Sequence, residues 1–557
     1  MVKANMGTEK IKEPGSRADY LIRRYDRFKG ERGNFESYWQ SLHDYFYIEA
    51  ADVSAVSSPG SELKSAYLYD STTLSAADVL ASGFMNYLTP PTSKWSRLVH
   101  KDYKMREDKK ISDFLEDVTD EVHYVLNRSN FYDQMFPTYK SSGVYGTSIV
   151  LVEEDLEDGV RLYSIPLKQC VIIEDGNGRV REYFIEFEYT AEQAATRWGI
   201  EKLHPKLKQE LTKEKETNKK HLFLLYIAPR NRREVQKENK ENMPFEATWI
   251  DHENKTIIDE GGYNESPAMT HRFDKRPFIP WGYSPGMKAL PFARMLNAIA
   301  KTNLRALMKR TDPPIALPDN AFIMPFNQNP KGINYYNKAK MEGKDIFAFG
   351  NYGDPQAGAL ALEYYANQVK EIMFNDVFLA FNQITKQMNN PEVYERIAEK
   401  MTLLGPSVGR YISELLHPII IRVVGILARQ GRLPEAPRGF DIDYEIDTVS
   451  QLAQAQKRSE LNALTSGLSL AGQIAQFDPS VLDNISPDRT VKEAWSIIGA
   501  PTQVLRSDDE VSAIREARAE VAAQQQEMNM IQQGAEVVEK GSKVDMNLSK
   551  ASQQKGK

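Results

Sequence analysis

Hydrophobic residues recur every three or four positions through roughly the first 140 residues, a spacing typical of amphipathic helices. Asp70 or Ser71 can cap one of these helices, and Pro90 and Pro91 end it. Its predicted apolar face consists of Leu74, Ala77, Ala81, Phe84, Met85 and Leu88. A second helix is predicted through Ile111, Leu115, Val118, Val122 and Val125.

From Gly143 the pattern changes to short runs rich in β-branched and aromatic residues, which predict strands. Asp175-Gly176-Asn177-Gly178 separates two of these runs, as the turn of a hairpin does. A charged stretch at 200–220 is predicted to be helical. The chain is therefore expected to be an α+β protein, mainly helical, with mainly antiparallel strand pairing in its middle third.

Two helical patterns then flank a module rich in proline, glycine and asparagine, with short strand-like pieces. The first helical pattern lies in the segment 286–312 and begins at Pro291, a residue that suits the first turn of a helix. The second is predicted over 359–381. At ~1.5 Å per residue each helix is about 30 Å long or more. We expect an arm of two helices with the small head 313–358 at its end.

A long apolar stripe follows within 393–450, although Gly405, Pro406 and Pro418 interrupt its helical pattern. A proline removes a backbone donor and clashes one turn back, so we expect the helix to bend or divide at these positions. Because the stripe stays in phase across them, its pieces are expected to wrap one core.

The remaining segments are less apolar. Residues 451–535 are rich in Ala, Gln and Leu and are predicted to be helical, whereas the polar residues 536–557 are expected to be mobile. The 557-residue chain is 41% hydrophobic and 27% charged, which suggests several globular units. Its net charge of -6 argues against a protein that grips DNA tightly.

Few residue patterns in the sequence indicate catalysis or metal binding. The only cysteine, Cys170, is expected to be a buried thiol, and the eight histidines do not recur at helix-face spacing. Gly467–Ala471 approximates a serine elbow but lies in a helical context. The most apolar run, Ile419–Ala428, is shorter than the ~20 residues of a membrane span. We expect no enzyme activity, metal, cofactor or membrane partner.

One charge pattern is less ordinary. Between Gly286 and Thr311 there are six basic residues and no acidic residue, and four of the six share one helix face: Arg294, Lys301, Arg305 and Lys309. The second helical pattern carries Glu363, Glu371 and Asp376 against Lys370. Two interpretations stay open: a solvated basic face, or a surface that pairs with a neighbouring subunit or contacts a passing polyanion.

Several segments together resemble a known family. They are YDSTTLSAADVLASGFMNYLTPPTSKWSRL at 69–98, SNFYDQMFPTYKSSGVYGTSIVLVEED at 129–155, WGYSPGMKALPFARMLN at 281–297, and the proline-interrupted stripe continuing to residue 457. In this number and order they resemble the head-to-tail connector, or portal, proteins of short-tailed bacteriophages (podoviruses). None is a catalytic motif.

The resemblance implies a homo-oligomeric ring of about twelve subunits at one capsid vertex of the virion, assembled in the host cytoplasm. Double-stranded DNA would pass through it non-specifically. A terminase, tail adaptor or tail proteins, and major capsid and scaffolding proteins would be its partners. A capsid-associated enzyme, or a DNA-binding assembly factor without a ring, is the alternative.

The resemblance also implies named regions. The wing would be 1–285 with 393–450, the stem 286–312 with 359–381, the clip 313–358 and the crown 451–535. A tunnel loop, 382–392, would face the DNA channel with Gln383, Thr385, Lys386, Gln387 and Asn389.

Overall fold

The computed structural model describes residues 16–49, 68–211, 219–231, 233–234, 239–311, 315–316, 347–348, 355–384, 404–437, 443–448, 451–498, 504, 506 and 510–525. The helices are α1 (Arg17–Phe46), α2 (Thr72–Leu88), α3 (Lys109–Arg128), α4 (Phe131–Tyr145), α5 (Ala191–Trp198), α6 (Pro205–Leu211), α7 (Pro285–Thr311), α8 (Pro355–Ile372), α9 (Asn375–Ile384), α10 (Leu404–Arg429), α11 (Gln451–Ala475), α12 (Pro487–Ile498) and α13 (510–525).

The strands are β1 (Ser96–His100), β2 (Thr147–Asp155), β3 (Gly159–Ile165), β4 (Cys170–Glu174), β5 (Val180–Thr190), β6 (Lys220–Pro229), β7 (Phe245–Asp251), β8 (Thr256–Tyr263), β9 (Ala268–Arg272), β10 (Asp274–Lys275), β11 (Gly282–Tyr283), β12 (Ile315–Ala316), β13 (Phe347–Ala348) and β14 (Tyr444–Thr448). Long helices and a strand-rich middle third make this an α+β protein, as predicted.

The helix starts follow from local capping. Ser16 and Asp19 form a capping box at α1, each side chain accepting from the other's backbone nitrogen. Asp70 accepts from the backbone nitrogen of Thr72 at 2.7 Å, which confirms the predicted start of α2. The predicted apolar face of α2 is largely buried, with Phe84 completely so.

Most of the strands form two antiparallel sheets, and one of these sheets packs against α1. Strands β4 to β8 form one antiparallel sheet in chain order, and β3, β2 and β9 form a second sheet, also antiparallel. The predicted turn joins β4 and β5: Asp175 accepts from the backbone nitrogen of Asn177, and Gly178 has a φ of 77°. One face of α1 packs on the five-stranded sheet through Leu21, Ile22 and Tyr25.

Contacts divide the chain into two compact units. One comprises Met1–Leu98, Val118–Glu435 and Ile446–Ser459, and the other Val99–Asp117, Ala436–Glu445 and Glu460–Lys557. Within the second unit, Arg515 of α13 pairs with Asp488 of α12 at 2.7 Å. The prediction of helices in 451–535 is confirmed over α11, α12 and α13, whereas residues 526–535 lie outside the described residues.

Candidate assembly and channel surface

The two helices of the predicted arm lie antiparallel, side by side. Gly358 of α8 sits against Asn303 of α7, where a Cβ would come within 2.7 Å of the amide oxygen. Farther along, the rings of Phe292 and Tyr365 are 6.4 Å apart. At ~1.5 Å per residue, the 27 residues of α7 give a rod about 40 Å long.

The predicted position of Pro291 was wrong. It lies inside α7, which begins at Pro285, rather than in its first turn. The hydroxyl of Ser284 accepts from the backbone nitrogen of Met287 at 2.9 Å and so caps the helix. Ser284 followed by Pro285 is itself a helix-start signal, and it outweighs the proline six residues later.

The second predicted helix of the arm is also divided. It is not one helix over 359–381, because α8 ends at Ile372 and α9 begins at Asn375. Between them Phe374 has a φ of 57°, a conformation that does not continue a right-handed helix. The break turns Phe378 of α9 onto α2, where its ring stacks on Tyr87 at 5.7 Å.

The basic face of α7 is solvent-facing. Arg294, Arg305 and Lys309 are exposed, while Lys301 is half-buried over the ring of Tyr69 at 5.4 Å. No ion pair joins any of these four cations to a carboxylate within the described residues. Exposed apolar side chains flank the row, with Leu304 at 41% and Met308 at 59%.

The partner helices of the arm carry the opposite charge. Glu363 and Glu371 of α8 and Asp376 of α9 are exposed. Leu360 and Tyr364 are exposed on α8, at 69% and 57%. A basic surface with exposed apolar residues and an acidic surface with exposed apolar residues therefore occur on one chain, a composition suited to contact between two copies.

The predicted channel and clip residues are described only in part. Gln383 lies in the last turn of α9, whereas Thr385, Lys386, Gln387 and Asn389 lie outside the described residues. In the clip, Ile315–Ala316 pairs antiparallel with Phe347–Ala348, which agrees with two of the strand-like pieces. The placement of these regions around a channel stays a prediction.

The proline-interrupted stripe forms one helix, α10, from Leu404 to Arg429. It includes both Gly405-Pro406 and Pro418, so Pro418 does not divide it. The helix widens to a π-helical turn at Tyr411–Leu416, immediately before Pro418. Leu415, Ile419, Val423 and Leu427 are all buried along it, which confirms the stripe from residue 404 onward. Its predicted beginning at Val393, Ile397 and Met401 lies outside the described residues.

By length and composition, α10 is the helix among the described residues that could cross a membrane. However, 56% of its most apolar 18-residue window is buried in the protein. Its Arg422 is 4% exposed at the side chain and pairs with Glu265 at 2.8 Å. These contacts are those of a core helix.

One buried pair looks superficially catalytic. The Ser142 hydroxyl lies 2.7 Å from Nδ1 of His271, whose ring stacks on Tyr411 with centroids 3.5 Å apart. Both residues are completely buried, and burial lowers the pKa of His271 well below its usual value. A nucleophile and base need access to a substrate, so this pair is structural.

Other candidate chemistry also has structural explanations. Gly467–Ala471 lies within α11, without the strand that a serine elbow requires. Cys170 is completely buried, and burial raises the pKa of its thiol. No group of metal-binding side chains occurs in the part of the chain that the structure describes.

Two features were missed from the sequence. Phe278, between Pro277 and Ile279, is fully exposed and has a φ of 62°. A groove of about 360 Å³ lies between α2 and α9, with Tyr87, Phe378 and Leu379 among its lining residues. Pro277 and Pro280, on either side of Phe278, could have indicated a constrained loop from the sequence. The groove could not be predicted, because it forms only where the chain breaks at Phe374.

Comparisons with known proteins agree with the sequence resemblance. The profile of the family described as "Bacteriophage head to tail connecting protein" matches residues 18–505. The chain is 27% identical over 526 residues to the portal protein of Salmonella phage epsilon15, covering 93% of this chain and 94% of the relative. It is 26% identical over 536 residues to the probable portal protein of Bordetella phage BPP-1, covering 95% and 96%. The chain belongs to the family of bacteriophage head-to-tail connecting proteins.

Proposed function

We propose that this protein forms a closed ring at one capsid vertex, through which double-stranded DNA enters and leaves the phage head. Its two relatives carry the names portal protein and probable portal protein. In this proposal α7 with α8 and α9 is the stem, 313–358 the clip, and 451–535 the crown. The N-terminal helices, the sheets and α10 form the wing. A terminase would dock during packaging, and tail proteins afterwards.

The proposal rests on the exposed surface of the stem, which α7, α8 and α9 form. A lone subunit leaves the cations of α7 without carboxylate partners among the described residues and exposes Leu304, Met308, Leu360 and Tyr364. A ring joins two different surfaces of each chain, head to tail. The basic surface of α7 would then meet the acidic surface of α8 and α9 on the next subunit, and the flanking apolar residues would be covered.

The charge of the chain also suits a conduit. Each strong phosphate contact would slow a sliding duplex, because it releases counterions and binds tightly. With a net charge of -6, and with the basic row engaged by a neighbour, the ring would hold DNA only loosely. Lys386 would place one positive charge per subunit near the duplex.

The test is the oligomeric state of the purified protein. Native mass spectrometry and negative-stain microscopy should show closed rings of about twelve copies with a central opening. A protein that remains monomeric or dimeric under conditions where it is folded would exclude the ring. Rings that package no DNA in a reconstituted reaction with terminase and proheads would exclude the conduit.

A further inference from the structure

Phe278 is presented to solvent by a constrained loop. The loop joins β10 to β11 and reads Arg276-Pro277-Phe278-Ile279-Pro280-Trp281, and the two prolines limit its backbone. Phe278 has a φ of 62°, which is unfavourable for a bulky residue, and its side chain is 100% exposed. Among the described residues no contact of the Phe278 side chain offsets this strain, which suggests a contact with another molecule.

The base of this loop is firmly held. Strand β10 pairs with β11, and Lys275 donates to the carbonyl oxygen of Gly178 at 2.7 Å. The guanidinium of Arg276 lies 3.7 Å from the centre of the Tyr283 ring. Gly282 packs directly on the backbone of Gly146, where a Cβ would clash. The aromatic ring is therefore preorganised as a projecting knob, which lowers the entropy lost when it binds.

The groove between α2 and α9 has the shape to receive such a knob. Its lining combines apolar side chains, among them Tyr87, Phe378 and Leu379, with polar side chains, among them Asp78 and Ser82. The ring of Phe378 occupies the space that a Cβ at Gly83 would need, and it stacks on Tyr87. Leu379 remains 48% exposed at the rim. The groove is thus preformed, aromatic on one side and open to solvent.

We propose that Phe278 of one subunit inserts into the α2–α9 groove of the next subunit. This inference rests on the proposed ring and names a contact that would hold it together. A head-to-tail interface needs two different complementary surfaces on every copy, and this chain supplies a knob and a groove. Buried aromatic anchors in pockets contribute much of the affinity of such interfaces.

Charge supports a second copy as the occupant. Asp78 is the one charged residue among the lining residues of the groove, and its charge is negative. Arg276 is exposed beside Phe278, and no carboxylate pairs with it within the described ranges. Lys140 pairs with both Asp78, at 2.6 Å, and Glu49, at 2.7 Å, so these two carboxylates share one cation and one negative charge is left over. Insertion of Phe278 would bring the guanidinium of Arg276 toward this excess negative charge.

Disulfide crosslinking tests the contact directly. Cysteine replaces Phe278 and Leu379 in one chain. The native Cys170 is buried and is therefore expected not to react. Two cysteines can bridge only when their Cα atoms are within about 7 Å. Mild oxidation should give a ladder of covalent multimers on a non-reducing gel. The matched control pairs F278C with L156C, because Leu156 is 96% exposed on the β2–β3 turn, away from the groove lining.

Two further variants make the outcome independent of the crosslink. Phe278→Ala removes the knob and Ser82→Trp fills the groove; each should reduce the yield of closed rings about tenfold while leaving the unfolding midpoint unchanged. Phe477→Ala, at an equally exposed phenylalanine of the other unit (92%), should form rings normally. Rings that form in F278A as in the unmodified protein, with no ladder in the double-cysteine variant, would overturn this inference and leave the proposed function intact. An unmodified protein that forms no rings would overturn both.

Discussion

Arg272 of β9 and Glu414 of the π-helical turn are joined at more than one point. The Glu414 carboxylate accepts from the backbone nitrogen of Arg272 at 3.0 Å and from its guanidinium at 2.7 Å. The same guanidinium binds Glu174 at 2.9 Å and the carbonyl oxygen of Gly178 at 3.0 Å. One buried side chain therefore ties β9, the β4–β5 turn and the irregular part of α10 together.

Glu414→Gln should destabilise the protein by roughly 2–3 kcal/mol, because a buried guanidinium loses one of its two carboxylates. Arg272 is 3% exposed, so water cannot replace the lost charge. The midpoint of urea unfolding, followed by circular dichroism, measures the change. Glu260→Gln is the control, since Glu260 pairs with Arg17 while both side chains are nearly half exposed, and it should cost less than about 1 kcal/mol. Equal costs in the two variants would contradict this account.

His271 should make stability depend on pH. Burial lowers its pKa well below the usual value, and the cations Arg410 and Arg272 lower it further. The unfolded chain therefore takes up a proton below about pH 6.5 that the folded chain does not, so stability falls as pH falls through that window. The loss is at most about 1.4 kcal/mol per pH unit for one proton.

Unfolding midpoints at several pH values between 7.5 and 5 test this dependence. The difference in stability between the unmodified protein and His271→Gln should be largest at pH 7.5 and shrink toward pH 5, because the variant has no imidazole to protonate. A His271→Gln curve that runs parallel to the unmodified one at all pH values would refute the assignment.

Local signals were enough to predict the regular elements. The cap at Asp70, the turn at Asp175 and the continuous stripe of α10 each depend on residues close in the chain, and the structure confirms them. The break at Phe374 was not predictable, because its cause is tertiary. A left-handed phenylalanine is unfavourable on its own, and it is compensated only where Phe378 packs on α2.

The candidate surfaces were likewise predictable only in part. Helix periodicity placed Arg294, Arg305 and Lys309 on one exposed face, as the structure shows. The groove that could receive Phe278 could not be read from the sequence, because its walls come from segments almost 300 residues apart. Such a site exists only after the chain has folded.

Reversal of charge on the stem should disrupt ring closure. The double variant Arg305→Glu, Lys309→Glu introduces two carboxylates on α7. In the proposed ring they would face the carboxylates of Glu363 and Glu371 on the neighbouring subunit. We expect at least a tenfold lower yield of rings at low salt, with partial recovery at high salt because salt screens repulsion between exposed charges.

The matched control for this reversal lies on the same helix. Lys288 of α7 is exposed near the start of the helix, about 25 Å along its axis from Arg305 at ~1.5 Å per residue. Lys288→Glu should therefore assemble normally. Size-exclusion chromatography with light scattering measures ring yield for both variants. Normal assembly of the double variant would favour the alternative interpretation, a solvated basic face.

Lys386 follows α9 in the predicted tunnel loop. Between Gln383 and Asn390 it is the only formal charge, amid Gln, Thr, Met and Asn. A ring would repeat that charge once per subunit, and amide side chains would add weak, quickly exchanged hydrogen bonds to phosphates. Such a collar would hold DNA without braking it. Lys386→Glu should leave rings intact but reduce the amount of DNA packaged or retained, measured as nuclease-protected DNA per particle. Lys386→Arg keeps the charge and should behave as the unmodified protein does. If the glutamate variant packages and retains DNA at the unmodified level, Lys386 does not act on DNA.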